Sequence, residues 1–176
     1  MLTAIITDLN DASRLEATLA ALAPAAVDGY VRQLLVIAEG AEAAALELAE
    51  EAGADAVDGF AAACAQARQP WLLILPAGVR PQVGWEAAVR GHMRRHPWAA
   101  GHFIGASAEV GLAGWVGEGL AGLRGPLLGR PAAEQGLLVS TKLVAEIAAA
   151  DREALVRGLG RGRLRRMSAR ALASAR

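Results

Sequence analysis

Trp71-Leu72-Leu73-Ile74-Leu75 is apolar at every position and is stopped by Pro76. A strand with one wet face alternates apolar and polar residues, so an unbroken run of this length reads as a strand buried on both faces. Working outward, Leu2 to Ile6 and Gln33 to Ile37 are runs of the same kind, and Ala54 to Val57 is a shorter candidate. Helix-type periods separate them. Ser13 and Glu16 form an S-x-x-E capping box, and Leu15, Leu19 and Leu22 follow on one helical face. Glu42 to Glu51 and Phe60 to Arg68 are expected as the next two helices. Fully apolar strands alternating with helices imply a mostly parallel sheet covered on both faces, a three-layer α/β/α domain.

Beyond Pro76 the spacing predicts a helix over Gly84 to His96, with Trp85, Ala88, Val89, His92, Met93 and His96 on one stripe. Ala100 to Gly105 is expected as an edge strand, and the glycine-rich stretch Gly111 to Pro131 has no clear period. Gly136 to Ser140 reads as a strand, Thr141 to Ala149 and Asp151 to Leu159 as helices, and Arg163 to Met167 as a last strand before a loose end. There is no internal repeat. Parallel sheets bind ligands outside the carboxyl ends of their strands, which directs attention to Thr7 to Asp11, Ala38 to Ala43 and Pro76 to Arg80.

With 176 residues, 54% of them hydrophobic and 20% charged, the chain is long and apolar enough for one packed domain and excludes disorder. Lys+Arg and Asp+Glu both total 18, so no net field draws it to nucleic acid. The apolar start Met1 to Ile6 soon meets Asp8, Asp11 and Arg14, unlike a signal peptide, and no run approaches a membrane span, so a cytoplasmic location is expected. The lone Cys64 makes no intrachain disulfide and reads as a buried thiol.

Several tempting motifs have plainer readings. His92 and His96 have the spacing of half a zinc site, but the residue after His92 is Met93 and both histidines share a stripe with apolar neighbours. Gly158-Leu159-Gly160-Arg161-Gly162 does not follow a strand, so it reads as a turn rather than a dinucleotide loop. The arginines from Arg152 to Arg176 have no aromatic among them for base stacking; a solvated basic edge is the default, with anion or peripheral membrane contact as the alternative.

Four stretches together resemble the family 2 glycosyltransferases, which have the GT-A fold, and in particular their short bacterial members: Ala4-Ile5-Ile6-Thr7-Asp8-Leu9-Asn10-Asp11, Trp71 through Gly84-Trp85-Glu86, Glu134-Gln135-Gly136-Leu137-Leu138-Val139-Ser140, and Leu155-Val156-Arg157 through Gly160-Arg161-Gly162-Arg163-Leu164. The resemblance implies one GT-A-like domain over 1–176, with a nucleotide-binding half in 1–105 and an acceptor-side half in 106–176. It implies that Thr7, Asp8, Leu9, Asn10 and Asp11 cradle the nucleotide of a UDP- or GDP-type sugar, that Glu39 stands beside the position of a base- or ribose-holding aspartate, and that Glu134, Gln135 and Gly136 belong to the acceptor loop. The family's catalytic glutamate-aspartate pair falls on Asp151 and Arg152, leaving Asp151 as the candidate base or, more plainly, a helix N-cap.

The chain departs from the pattern where the family binds Mg or Mn. Its acidic metal motif corresponds here to Pro76-Ala77-Gly78-Val79-Arg80, which holds no carboxylate, so metal ligands are absent from that stretch. Arg80 is the candidate to stabilise the diphosphate in the metal's place. Three functions are then open: a transferase that works without a bound metal, a catalytically inactive relative that binds a nucleotide or glycan, and a regulatory subunit in a homo- or hetero-oligomer.

Overall fold

The computed structural model describes residues 1–107 and 135–173. Gly111 to Pro131, Glu134 and Arg176 lie outside the described residues. Among the described residues eight strands form one sheet: β1 (Leu2–Thr7), β2 (Val31–Ile37), β3 (Asp55–Val57), β4 (Trp71–Pro76), β5 (Val79–Pro81), β6 (Ala100–Ser107), β7 (Leu137–Ser140) and β8 (Leu164–Ala173). The helices are α1 (Ala12–Val27), α2 (Ala43–Glu51), α3 (Phe60–Gln66), α4 (Trp85–Arg95), α5 (Thr141–Ile147) and α6 (Arg152–Leu159).

The strand order is β3-β2-β1-β4-β7-β6-β8-β5. β3, β2, β1 and β4 run parallel, with Ile5 opposite both Leu35 and Ile74. β7 is antiparallel to β4 and β6, β8 is parallel to β6, and β5 is antiparallel to β8. Alternate side chains divide the core between the two faces, as the pleat requires. Ala4, Ile6, Leu73 and Leu75 pack with Leu15 and Leu22 of α1, Ala45 of α2 and Val89 of α4. Ile5, Leu72 and Ile74 pack with Phe60 of α3, Leu143 of α5 and Leu155 of α6. This is the expected three-layer sandwich. Among the described residues no helix is long and apolar enough to cross a membrane.

Three local expectations needed correction, and one further strand was not foreseen. Helix α1 starts at Ala12, one residue before Ser13, and Asp11 is its cap: Oδ1 accepts from the Ser13 N–H at 2.8 Å and from the Ser13 hydroxyl at 2.6 Å. The aspartate lies two residues ahead of Ser13 and caps as well as serine does, which leaves Glu16 exposed rather than boxed. β6 is no edge strand, because β8 returns from far along the chain to cover its open side. β8 itself runs six residues beyond Met167, burying Met167, Ala169 and Ala171 between exposed Arg166, Ser168 and Arg170. Finally, Ala77-Gly78 is a tight turn that folds Val79–Pro81 back as a strand against β8, with Gly78 at φ +91°.

Candidate functional site

A cavity of about 480 Å³ opens at the carboxyl ends of β1 and β2, where a parallel sheet is expected to bind. Thr7, Asp8 and Asn10 form one wall, Glu39 and Phe60 another, and the start of α6 with Asp151 and Arg152 closes it. The β1–α1 loop is held by its own backbone. Asp8 adopts φ +59°, a left-handed conformation that aspartate tolerates better than most residues. Its carbonyl accepts from the Asn10 N–H at 2.8 Å, and its Oδ2 accepts from the Thr7 hydroxyl at 2.8 Å. Leu9 is buried at 1% exposure in the core, and its carbonyl accepts from the Glu42 N–H at 2.8 Å, joining this loop to the one before α2. Leu9 therefore anchors the loop from behind. Asp11 caps α1, and the Ser13 hydroxyl and N–H hold its carboxyl below the usual range.

The group that sequence reasoning left out of the site is Arg152. Its guanidinium donates from Nη2 to the Gln135 carbonyl at 2.5 Å and is partly buried beside Asp8. Burial lowers its pKa, while Asp8 and then Glu153 oppose the shift. A guanidinium keeps its proton in proteins and accepts no hydrogen bond, so Arg152 cannot act as a general base. Asp151 is exposed to the cavity, and its Oδ1 accepts from the Ala154 N–H at 2.6 Å, the N-cap arrangement. The adjacency of Asp151 and Arg152 in the aligned pair was the signal available in the sequence.

Gln135 enters the site through its carbonyl, and its side chain approaches Gly105 and His102. Gly136 is a packing residue: a Cβ there would run into Leu75 Cδ2 and lie 2.9 Å from Phe103 Cδ2. Arg80 does not line the cavity. It sits on β5 opposite Leu172, with Nε buried and without a hydrogen bond among the described residues. Thus Thr7, Asp8, Asn10, Glu39 and Asp151 converge on one cavity, Gln135 joins them through Arg152, and Arg80 stands outside.

The described residues do not fit a divalent metal. The turn after β4 offers backbone only, and the Gly78 N–H already donates to Thr18 Oγ1 at 2.9 Å and the Arg14 carbonyl at 3.0 Å. A Cβ built on Gly78 would sit 2.7 Å from Arg14 Nε, so a side chain at this position meets the Arg14 guanidinium. Among the described residues no three His, Cys, Asp or Glu side chains are grouped as a metal site. His92 is buried, with Nε2 2.9 Å from the Ala99 carbonyl, and the Gly158–Gly162 stretch is the end of α6 and the turn into β8. Burial pushes the Cys64 thiol up to about 11, away from nucleophilic reactivity.

No family model matches the chain, and no curated protein matches it in sequence. Solved structures do match in shape. Glucosyl-3-phosphoglycerate synthase from Mycobacterium tuberculosis, in complex with Mn2+ and UDP-glucose, superposes with a TM-score of 0.64 at 15% identity, over 100% of this chain and 70% of that one. The same enzyme in complex with phosphoglyceric acid gives 0.63 at 14% identity, over 99% and 70%. A further mycobacterial protein gives 0.65 at 15% identity, over 99% and 65%. The fold is that of the GT-A nucleotide-sugar transferases. At these identities the likeness extends to the fold and no further.

Proposed function

We propose that this chain is a family 2-type glycosyltransferase-like protein that binds a nucleotide-diphosphate sugar without a divalent metal and is impaired in transfer. The observation that carries the reading is the cavity in which Thr7, Asp8, Asn10 and Glu39 meet Arg152 at the carboxyl ends of β1 and β2. In this reading the β1–α1 loop and Glu39 hold the base and ribose, and Arg152 supplies the positive charge that a diphosphate requires. Asp151 is the remaining candidate base, and Glu134, Gln135 and Gly136 bound the acceptor side. A second reading is supported by the guanidinium at the family's aspartate position: a catalytically inactive relative that binds a nucleotide sugar as a regulatory or partner subunit.

A thermal melt against UDP, GDP, TDP and their sugar conjugates, with and without manganese, tests the reading. A ligand at about a hundred times its dissociation constant stabilises the native state by about 2.7 kcal/mol. A shift with one nucleotide that ignores manganese is the expected result. Metal-free sugar-nucleotide hydrolysis then separates a slow enzyme from an inactive binder, and no shift with any nucleotide refutes both.

A further inference from the structure

A second groove, of about 500 Å³, runs between α4 and β8 and shares no lining residue with the nucleotide cavity. It is lined by Arg94 and Arg95 of α4, by Ser168 and Arg170 of β8, and by Gln82 and Val83 of the connection between β5 and α4. Among the described residues no carboxylate lines it. The one acid of α4, Glu86, is turned toward Tyr30, where Arg90 lies 4.3 Å above the ring. Neither β8 nor the Gln82-Val83-Gly84 connection contains an acid. Gly91 lets the Arg95 guanidinium lie along the helix: a Cβ there would be 3.1 Å from its Nη2.

In a chain with equal numbers of acidic and basic residues, this face gathers three arginines with no acid beside them among the described residues. Arg94, Arg95 and Arg170 are all exposed, and none forms a salt bridge among the described residues. At the rim Val83 is fully exposed, an apolar side chain projecting beside three guanidinium groups. Nucleic acid is a poor match, because Trp85, the aromatic residue in the lining, is 2% exposed and offers no stacking surface. Guanidinium groups recognise phosphate, and an exposed apolar side chain beside them suits the headgroup–acyl boundary of a membrane.

We propose that the α4–β8 groove docks the phosphate headgroups of an anionic phospholipid bilayer, with Val83 entering the interface. The proposal does not depend on nucleotide binding. The test is co-sedimentation of the full chain with vesicles of phosphatidylcholine alone, and with vesicles in which phosphatidylglycerol is about a third of the lipid. Binding to the anionic vesicles only, weakened by salt, is expected. Each arginine replaced by alanine should lower the partition coefficient about fivefold. The triple variant Arg94→Lys, Arg95→Lys, Arg170→Lys should retain most of the binding. Val83→Glu, at a position with no packing to lose, should weaken it with an unchanged melting temperature, which keeps the test decisive if an arginine variant folds poorly. Equal binding to both vesicle types, or no effect of Val83→Glu and the alanine variants, overturns the proposal. So does stabilisation by inorganic phosphate or glycerol phosphate without vesicle binding, which would assign the groove to a soluble phosphate. Tighter binding of a single-stranded oligonucleotide than of vesicles overturns it as well.

Discussion

Placing a carboxylate at Gly78 with Gly78→Asp, where the resemblance to family 2 glycosyltransferases expects a metal ligand, should not create a metal site. Gly78 has φ +91°, outside the range that a side chain accepts at ease, and placing one there costs about 1–2 kcal/mol. The new Cβ would lie 2.7 Å from Arg14 Nε and 3.4 Å from Arg14 Cζ, so the guanidinium has to move. Once moved, it pairs with the new carboxylate, and a pair at a partly exposed position returns about 0–1 kcal/mol. The net expectation is a loss of about 1 kcal/mol and a melting temperature lower by about 2–4 °C for a chain of this size. The carboxylate is meanwhile neutralised by Arg14, and among the described residues no group of three His, Cys, Asp or Glu side chains is placed to hold a metal, whereas manganese needs several hard donors. Titration with manganese, followed by the loss of its free paramagnetic signal, should therefore give no binding in the wild type or in Gly78→Asp. The double variant Gly78→Asp with Arg14→Ala removes the competing cation and is the more demanding control. Micromolar manganese binding by Gly78→Asp alone would refute the reasoning, because it would mean that Arg14 does not command this position.

Three further outcomes are expected. Arg152→Met keeps bulk but removes the charge beside Asp8 and the hydrogen bond to the Gln135 carbonyl; it should lower stability by about 1–2 kcal/mol and weaken UDP binding at least tenfold, read by melt and calorimetry. Gly136→Ala forces a methyl group between Leu75 and Phe103, both fully buried, and should cost about 1–3 kcal/mol in a chemical denaturation curve. Burial lowers the pKa of both His92 and His102, so the folded state holds them neutral while the unfolded chain takes up protons near pH 6.5. The unfolded state then binds more protons below that value. Stability should be full above about pH 6.5 and fall as the pH drops toward the lowered folded values, and His92→Gln should flatten that fall in melts between about pH 5 and pH 8.

What the sequence made legible follows the range of the interactions involved. Trp71 to Leu75 and Leu2 to Ile6 declare a doubly covered sheet because burial on both faces leaves no polar position in either run. Their order with α1 to α3 follows, and so does the place of the cavity, since the carboxyl ends of parallel strands are fixed by topology alone. β8 was cut short at Met167 because its inward positions are alanines, whose weak apolar signal is masked by the arginines between them. Its pairing with β6 and β5 was invisible for a different reason: sixty or more residues separate Ile104 from Arg170, and no local pattern encodes which strand covers which edge. Leu9 read as part of a binding loop from its place in the motif, and only the three-dimensional packing shows that it points into the core.

Arginines stand at or beside the two positions that the resemblance to family 2 glycosyltransferases aligns with carboxylates. Where the family pattern puts a metal ligand, the Gly78 backbone faces the Arg14 guanidinium, and where it puts a catalytic aspartate, Arg152 lies beside Asp8. An idle acidic position fills most cheaply with small or apolar residues, and Ala77-Gly78-Val79 in the turn after β4 follow that pattern. Arginine at Arg152 instead retains a partly buried charge at a real desolvation cost, tethered to the Gln135 carbonyl. Asp8 beside it offsets part of that cost, and the cavity that both residues line carries this charge into the nucleotide-binding reading. Arg152 also withdraws the proton acceptor that transfer needs, so the one substitution supports binding and opposes turnover together. Arg152→Asp separates the two directly: if the arginine holds an anion, this variant loses UDP affinity, and any transfer or hydrolysis it gains appears only at UDP-sugar concentrations well above those the wild type needs to bind. A gain of turnover with affinity unchanged would show that Arg152 blocks the site without serving it.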